Sequence, residues 1–379
     1  MKAAIKYRFY PTLSQETLLA QSFGCARKVW NLVLDASNHN KEKTGKGFTA
    51  KERNEHLTRI KKMPEYSYLN EVSSVCLQQK IIHLGKALDA FFAKRSGLPV
   101  FKRKHHRQSI TMMKNSLKLK SGKFYMAKSK EPLDIRLTRE FPSNFSSVTI
   151  SKTKSGKYHI SFVYERDIKP LKESQNKCGI DLGLKDFLVF DNGVKIANEK
   201  KYLAYEEKMK FLQRKLAKLD INRKKLGLSV KVENKNRNKL KTRIAKLYEK
   251  ISNIRKDNLH KITKNIVNEN QVICVESLQI KSMVRNRRLA RVISDASWGE
   301  FLRQLEYKCE WYGRTLVKVD KFYPSSKTCS SCNYIMPELP LNIREWSCPK
   351  CNTSHDRDIN AAINIRTSGL LGIASGVNP

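Results

Sequence analysis

Apolar positions along this chain change their period several times, and each change marks a new element. From Lys2 to Phe9 they alternate with polar ones, as on a half-buried strand, until Pro11 stops the pattern. Thr12 or Ser14 is placed to cap a helix on which Leu18, Leu19, Phe23, Ala26, Val29, Trp30 and Val33 recur at helical spacing. Further on, Leu77, Ile81, Leu84, Leu88 and Phe91 step by four and three along a second helix that closes at Ser96-Gly97-Leu98-Pro99, and this stripe reads as an inter-helix seam. The stretch between the two helices is polar and lysine-rich and reads as a connector.

From about residue 108 the period falls to two. Tyr158, Ile160, Phe162 and Tyr164 alternate with polar neighbours after the turn Lys154-Ser155-Gly156, and several short strands between 108 and 165 predict a small β-barrel or sandwich. The basic run Phe101-Lys102-Arg103-Lys104-His105-His106-Arg107 before it reads equally as a solvated loop or a phosphate contact. A polar linker, Asp167–Lys177, opens a new unit. Cys178–Gly183 and Phe187–Phe190 predict two antiparallel strands, with a third after the turn Asp191-Asn192-Gly193. Two long helices follow, one with the seam Met209, Leu212, Leu216, Leu219 and the other with Leu240, Ile244, Leu247, Ile251, Ile254. Val272–Val275 predicts a buried strand with Glu276 at its carboxyl end, and Arg285, Arg287, Arg288 and Arg291 then crowd a loop. A helix over Trp298–Tyr312, a strand over Thr315–Asp320 and a closing helix over Asp358–Ile365 complete the pattern.

Charge narrows what such a chain can do. Its 379 residues hold 75 Lys and Arg against 35 Asp and Glu, a net charge of +40, while 40% hydrophobic and 9% aromatic residues suffice for real cores. A chain this positive repels itself and calls for a polyanion, nucleic acid first and acidic membrane second; an ordinary metabolic enzyme is excluded as the default. The membrane reading is weak, because no apolar run reaches about 18 residues and Met1–Arg8 carries charges where a signal peptide needs apolar residues. An intracellular protein is therefore expected. Residues 201–250 hold 17 Lys and Arg against five Asp and Glu. Solvated helices interleave lysine with glutamate to form i,i+4 pairs, so the missing acids favour a nucleic-acid track on this helical hairpin.

Two sets of side chains carry chemistry. Cys25, Cys76, Cys178, Cys274 and Cys309 stand singly among apolar neighbours, as buried small hydrophobes do. Cys329, Cys332, Cys348 and Cys351 instead form C-x2-C-x15-C-x2-C, the spacing of a four-thiolate zinc site. The second set is acidic: Asp181 inside an apolar strand, Glu276 at the end of another, and Asp356 and Asp358 just before a helix. Burying lone carboxylates in such places costs several kcal/mol unless a cation pairs with them. Three carboxylates from separated segments suit two Mg²⁺ or Mn²⁺ ions and phosphodiester hydrolysis. The order of elements, a strand hairpin with the first acid, a helix, a strand with the second and a closing helix with the third, is that of an RNase H-like fold. Helical geometry leaves the third position open between Asp356 and Asp358. His355 is read as orienting the start of the closing helix, and at least two of Trp298, Trp311 and Tyr312 as core.

Four stretches together resemble the TnpB family, the insertion-sequence-encoded OrfB transposase group regarded as ancestral to type V CRISPR effectors. They are Gly179-Ile180-Asp181-Leu182-Gly183, Val275-Glu276-Ser277-Leu278, the run from Val319 through Cys332, and His355-Asp356-Arg357-Asp358-Ile359-Asn360-Ala361-Ala362-Ile363-Asn364-Ile365. The resemblance spans the chain from its first strand to Ile365. It implies an RNA-guided DNA endonuclease of a transposable element, cleaving double-stranded DNA beside a short flanking motif at a single RuvC site. The implied plan is a wedge β-barrel (1–10 and 100–170), a helical recognition bundle (11–99), a RuvC domain (175–320 and 355–368, with the basic hairpin at 201–262), a zinc ribbon (321–354) and a flexible tail (369–379). By matching position, Asp181, Glu276 and Asp358 take the catalytic, magnesium-binding places, Asp356 becomes a neighbour, and the four cysteines take one structural zinc. Guide RNA and target DNA are the implied partners, in a monomeric ribonucleoprotein of the prokaryotic cytoplasm and nucleoid. Relatives usually have glycine after the second cysteine of each pair, where this chain has Asn333 and Asn352; asparagine is the next residue to tolerate a left-handed backbone there. The rival readings are an RNA-independent transposase, a nuclease-inactive RNA-guided regulator and a zinc-stabilised RNA-binding protein.

Overall fold

Polar caps set the limits of the first helices. Thr12 accepts from the Gln15 amide while the Gln15 side chain accepts from the Thr12 amide, a reciprocal pair that starts α1 (Leu13–Thr44). Leu19, Phe23, Ala26, Val29, Trp30 and Val33 are all buried along it, and Gly45, at φ 75°, ends it. The computed structural model describes residues 1–199, 203–229, 234–286 and 289–375. Its contacts divide the chain into two units, which meet in sequence at Asp167 and Ile168.

The lysine-rich stretch expected to be a connector is itself helical. A second reciprocal cap, Thr49 with Glu52, opens α2 (Ala50–Lys62), and a 3₁₀ segment, Pro64–Asn70, leads to α3 (Ser74–Phe92). Only Leu57 and Ile60 of α2 are buried, so the apolar stripe is too short to stand out in a charged background. The strands of this unit are β1 (Lys2–Tyr10), β2 (Gln108–Met113), β3 (Leu117–Lys120), β4 (Lys123–Met126), β5 (Asp134–Arg136), β6 (Phe145–Lys152) and β7 (Tyr158–Glu165). Five of them form an antiparallel sheet in the order β2-β6-β7-β1-β5, and β3 pairs with β4. Inward-facing Tyr7, Phe9, Ile110, Met112, Val148, Ile150, Ile160 and Phe162 join Leu19 and Phe23 of α1 in one core.

The second unit is built on β8 (Lys177–Leu182), β9 (Asp186–Phe190), β10 (Lys195–Ala197), β11 (Val272–Glu276) and β12 (Thr315–Val319), in the order β10-β9-β8-β11-β12. The first three are antiparallel; β11 runs parallel to both β8 and β12. This is the RNase H-like arrangement that the element order predicts. Helix α4 (Leu203–Lys225) pairs with α5 (Lys235–Glu269) through Met209, Leu212, Leu247 and Ile251, and α5 continues past the hairpin so that Leu259, Ile266 and Val267 join the sheet core. Short α6 (Ile280–Met283) and α7 (Ala290–Ala296) precede α8 (Trp298–Tyr312), whose Trp298, Phe301 and Leu305 pack on the same face. Trp298 is buried there with Tyr312 against it, and Trp311 lies edge-on to Tyr307. Of the expected arginine cluster, Arg287 and Arg288 fall outside the described residues, and Arg291 on α7 pairs with Glu206 on α4. No helix among the described residues is long and apolar enough to cross a membrane.

The opposite face of the sheet is covered by α9 (Arg357–Ala374), through Ile365 against Cys274, Val317 and Val319. The sequence reading ends this helix near Ile365 and makes 369–379 a flexible tail; the helix instead runs on to Ala374, and residues 376–379 lie outside the described part. Gly369 marks contact, not a loop, because a Cβ there would lie 2.5 Å from the Cys274 sulfur. Gly179 on β8 is more restrictive still, with the Ala362 carbonyl oxygen 2.1 Å from where a Cβ would stand. Gly179→Ala is expected to destabilise the chain in urea titrations by roughly 2–3 kcal/mol through overpacking, whereas Gly45→Ala, at an exposed left-handed cap, costs about 1 kcal/mol. Equal midpoints for the two variants would contradict this seating of α9.

Candidate metal centres

The seating of α9 also decides which acids meet. Gly179 and Asp181 point to the same face of β8, since strand side chains alternate, and Ala362 and Asp358 share one face of α9, being four apart. With the Ala362 carbonyl against Gly179, one helical turn of about 5.4 Å carries Asp358 alongside Asp181, two strand residues further on. Strand β11 supplies the third acid: Val275 pairs with Ile180, and Glu276 accepts a 3.4 Å hydrogen bond from the Leu182 amide. Asp181 and Glu276, near the carboxyl ends of the adjacent parallel strands β8 and β11, thus have Asp358, in the first turn of α9, as a neighbour. Asp356 faces another way. It caps α9, accepting from the Asp358 and Ile359 amides at 3.0 and 3.1 Å, and pairs with Lys195 of β10 at 2.6 Å.

Electrostatics set Asp356 apart from the buried strand acids as clearly. Asp181 is held well above the usual carboxylate range, first by burial and then by the negative charges of Glu276 and Asp358, against partial relief from Arg357 and Arg344. Burial pushes Glu276 up to about 7, in spite of the Leu182 amide. Partial burial acts to raise Asp356 too, but Lys195 and the two helix amides bring it below its ordinary value. Asp356 is therefore already satisfied, while Asp181 and Glu276 have no paired cation among the described residues, and with Asp358 they offer hard oxygen donors of the kind a divalent cation takes.

A cation that no local sequence pattern marks pairs directly with this cluster. Arg344, between the cysteine pairs, donates to both oxygens of Asp358 at 3.1 Å. Its backbone is fixed from α9, since Arg344 accepts from the Arg357 amide at 2.7 Å and the Arg357 guanidinium donates to Pro340 at 2.6 Å. Asn360 and Asn364, four apart on α9, hold the other end of the same module: Asn360 accepts from the Ser330 amide and donates to the Thr328 carbonyl, and Asn364 donates to Ser325 and Thr328.

The thiols of Cys329, Cys332, Cys348 and Cys351 lie within 4.8 Å of one another. The Cys329–Cys351 and Cys332–Cys348 sulfurs are each 3.6 Å apart. A tetrahedron with Zn–S bonds of about 2.3 Å has edges near 3.8 Å, so the quartet fits zinc. Asn333 and Asn352 adopt the left-handed backbone the sequence asks of them, at φ 59° and 57°, with their amides donating to Cys329 and Cys348. Hydrogen bonds from Thr353 bring the Cys351 thiol down to about 6, while Cys332 beside it is pushed up to about 12. His355 belongs to this cluster rather than to the acids, its Nε2 3.1 Å from the Cys329 sulfur and its ring against Trp346.

Comparison with known proteins extends these findings. Three family models match: a helix-turn-helix domain of the IS605 OrfB group over 1–46, the IS605 OrfB "Probable transposase" model over 160–287, and a Cas12f1-like TNB domain over 298–365. A protein of Streptomyces pristinaespiralis named "Putative RNA-guided DNA endonuclease" is 39% identical, covering 99% of this chain and 91% of its own length. InsQ of Escherichia coli K12, similarly named, is 28% identical over 98% of this chain and 94% of its own. Among solved structures, a Cas12f1 chain from a complex with sgRNA and target DNA matches with a TM-score of 0.57 at 16% identity, over 97% of this chain and 98% of its own. A Cas-phi3 endonuclease matches with 0.51 at 10% identity, over 98% and 93%. At these identities the structural matches speak for the fold.

Two outcomes follow for the isolated chain. With divalent ions chelated, Glu276 ionises earlier in the unfolded state, near 4.5, than in the folded one, near 7. Stability is therefore expected to fall as pH rises across that window and to level off above it. Glu276→Gln should stabilise the chain in EDTA at pH 8 by about 1–3 kcal/mol, read as a higher thermal midpoint, and a lowered midpoint would contradict the picture. Cys348→Ser should lower stability and reduce bound zinc, read by a colorimetric chelator; full zinc content with unchanged stability would argue against the four-thiol site.

Proposed function

The chain belongs to the TnpB family of insertion-sequence proteins, and from that premise we propose that it is an RNA-guided DNA endonuclease that hydrolyses target DNA at Asp181, Glu276 and Asp358. The observation that carries this reading is the meeting of these acids on an RNase H-like sheet inside a chain of net charge +40. Guide RNA and target DNA offset that charge, and base pairing between them supplies sequence specificity. The named function of the Streptomyces relative and the complex in which the Cas12f1 chain was solved support the same partners.

Asp181, Glu276 and Asp358 are the residues that would hold the divalent ions, two by the usual logic of this chemistry. When bound, such ions activate water and stabilise the leaving 3′-oxygen. Around them the chain's own groups do the remaining work. Asp356 and Lys195 fix the start of α9, and with it the position of Asp358. Arg344 balances Asp358 and offers a guanidinium beside the reacting phosphate, a role suited to its bidentate fork. The ribbon is thereby both a folded support and the carrier of an active-site cation. The protein acts in the cytoplasm, where its nucleic-acid partners are.

Ribonucleoprotein purified with its RNA should cut a plasmid bearing the matching target in Mg²⁺ and not in EDTA. Asp181→Ala, Glu276→Ala and Asp358→Ala should each abolish cutting and retain target binding. Asp356→Ala should retain measurable cutting; loss with Asp356→Ala but not Asp358→Ala would reverse the third assignment. Arg344→Ala is expected to slow cutting by roughly 10²-fold or more at unchanged target affinity, and an unaltered rate would remove Arg344 from the site.

A further inference from the structure

The first unit contains a pair of like charges that its own fold leaves unbalanced. Lys80 on α3 is only 8% exposed, and its ammonium has one long protein acceptor, the Ser109 carbonyl at 3.4 Å. Beside it stands the Lys102 ammonium, 3.5 Å from the centroid of the Trp30 ring. The charged groups that bear on this pair are Arg107 on Lys80, and Lys80 on Lys102. His83, on α3, feels Lys80, Lys86 and Lys102 together. Among the described residues no carboxylate is paired with either ammonium. Burial, followed by its lysine neighbour, pushes Lys102 down to about 8, and burial lowers Lys80 as well.

The segment that presents Lys102 is fastened rather than loose. The Trp30 indole donates to the Val100 carbonyl at 3.1 Å. The next residue, Asn31, grips Lys102 at both backbone groups, accepting from its amide at 2.8 Å and donating to its carbonyl at 3.0 Å. Two consecutive residues of α1 thus hold the start of the basic run 101–107 against the helices, next to a buried lysine. Packing alone would not select lysine at position 80, since a Met or Leu fills such space without the cost of burying a charge. Two converging ammonium groups with spare donors and a rigid backbone are suited to a compact, doubly contacted anion.

We propose that Lys80 and Lys102 form a seat for one phosphate group of a nucleic-acid backbone. The proposal rests on the nucleic-acid reading above for the source of that phosphate, and the structure of the pair sets its chemistry. A phosphodiester oxygen accepts from both ammonium groups and replaces their mutual repulsion by attraction. The indole face of Trp30 holds Lys102 in place while the seat is empty.

The test uses the full chain and the variants Lys80→Met and Lys102→Gln, with Lys51→Gln, an exposed lysine of α2, as the charge-loss control. Binding of a fluorescein-labelled RNA and of a labelled DNA duplex is measured over a range of salt. Each seat variant should weaken binding of one or both about 3- to 10-fold beyond the control and reduce the salt slope by about one; the nucleic acid affected identifies the strand held. Thermal midpoints are compared in inorganic phosphate and in chloride at equal ionic strength. Phosphate should raise the midpoint of the unmodified chain but not that of the seat variants, and Lys80→Met should not lower the midpoint in chloride. Unchanged affinity for both nucleic acids, or a phosphate effect that survives in the variants, would overturn the seat. A chain that binds neither nucleic acid yet keeps a seat-dependent phosphate shift would uphold the seat while refuting the nuclease reading.

Discussion

Everything in the second unit depends on how closely α9 lies on the sheet. At Gly179 the Ala362 carbonyl occupies the space of a missing side chain, and at Gly369 the Cys274 sulfur does the same. These two contacts fix the helix along its length. A one-turn displacement would move Asp358 by about 5.4 Å, enough to separate it from Asp181. The caps that start α9, Asp356 with Lys195, belong to the same constraint: they hold the first turn where the acid is needed.

The consequence is a site that works against its own fold. Burial raises both Asp181 and Glu276, and the charges of Glu276 and Asp358 raise Asp181 further. Functional sites commonly carry such a cost, which ligands then relieve. The basic faces pose the mirror-image problem, with a net charge of +40 and a lysine pair in the first unit with which no carboxylate among the described residues is paired. Acids that call for cations and cations that call for polyanions are complementary demands, and the proposed complex of protein, RNA, DNA and divalent ions would satisfy both.

Much of this was legible in the sequence because it depends on local pattern. Strand alternation marked β1 and β7, strong seams marked α1 and α3, and paired cysteines marked the thiol cluster. Acids stranded in apolar segments marked Asp181 and Glu276. What escaped depends on contacts between distant segments. Helix α2 has two buried apolar residues and is recognisable mainly by its caps. Arg344 looks like any surface arginine until the ribbon is folded against α9. Gly369 resembles a tail glycine until Cys274 is opposite it. Lys80 sits on an apolar-striped helix, and nothing local shows that Lys102 will be beside it. The choice between Asp356 and Asp358 turned on which face of α9 meets β8, which spacing alone leaves open.

The central claim is that Asp181, Glu276 and Asp358, brought together by α9, hold divalent ions as a unit. Electron paramagnetic resonance of Mn²⁺ titrated into the zinc-loaded full chain measures this without any nucleic acid or cleavage. Binding that is retained in Asp356→Asn and lost in Asp181→Asn, Glu276→Gln and Asp358→Asn alike is the expected result. Binding that survives removal of any one of the three, or that depends on Asp356 instead, would contradict it.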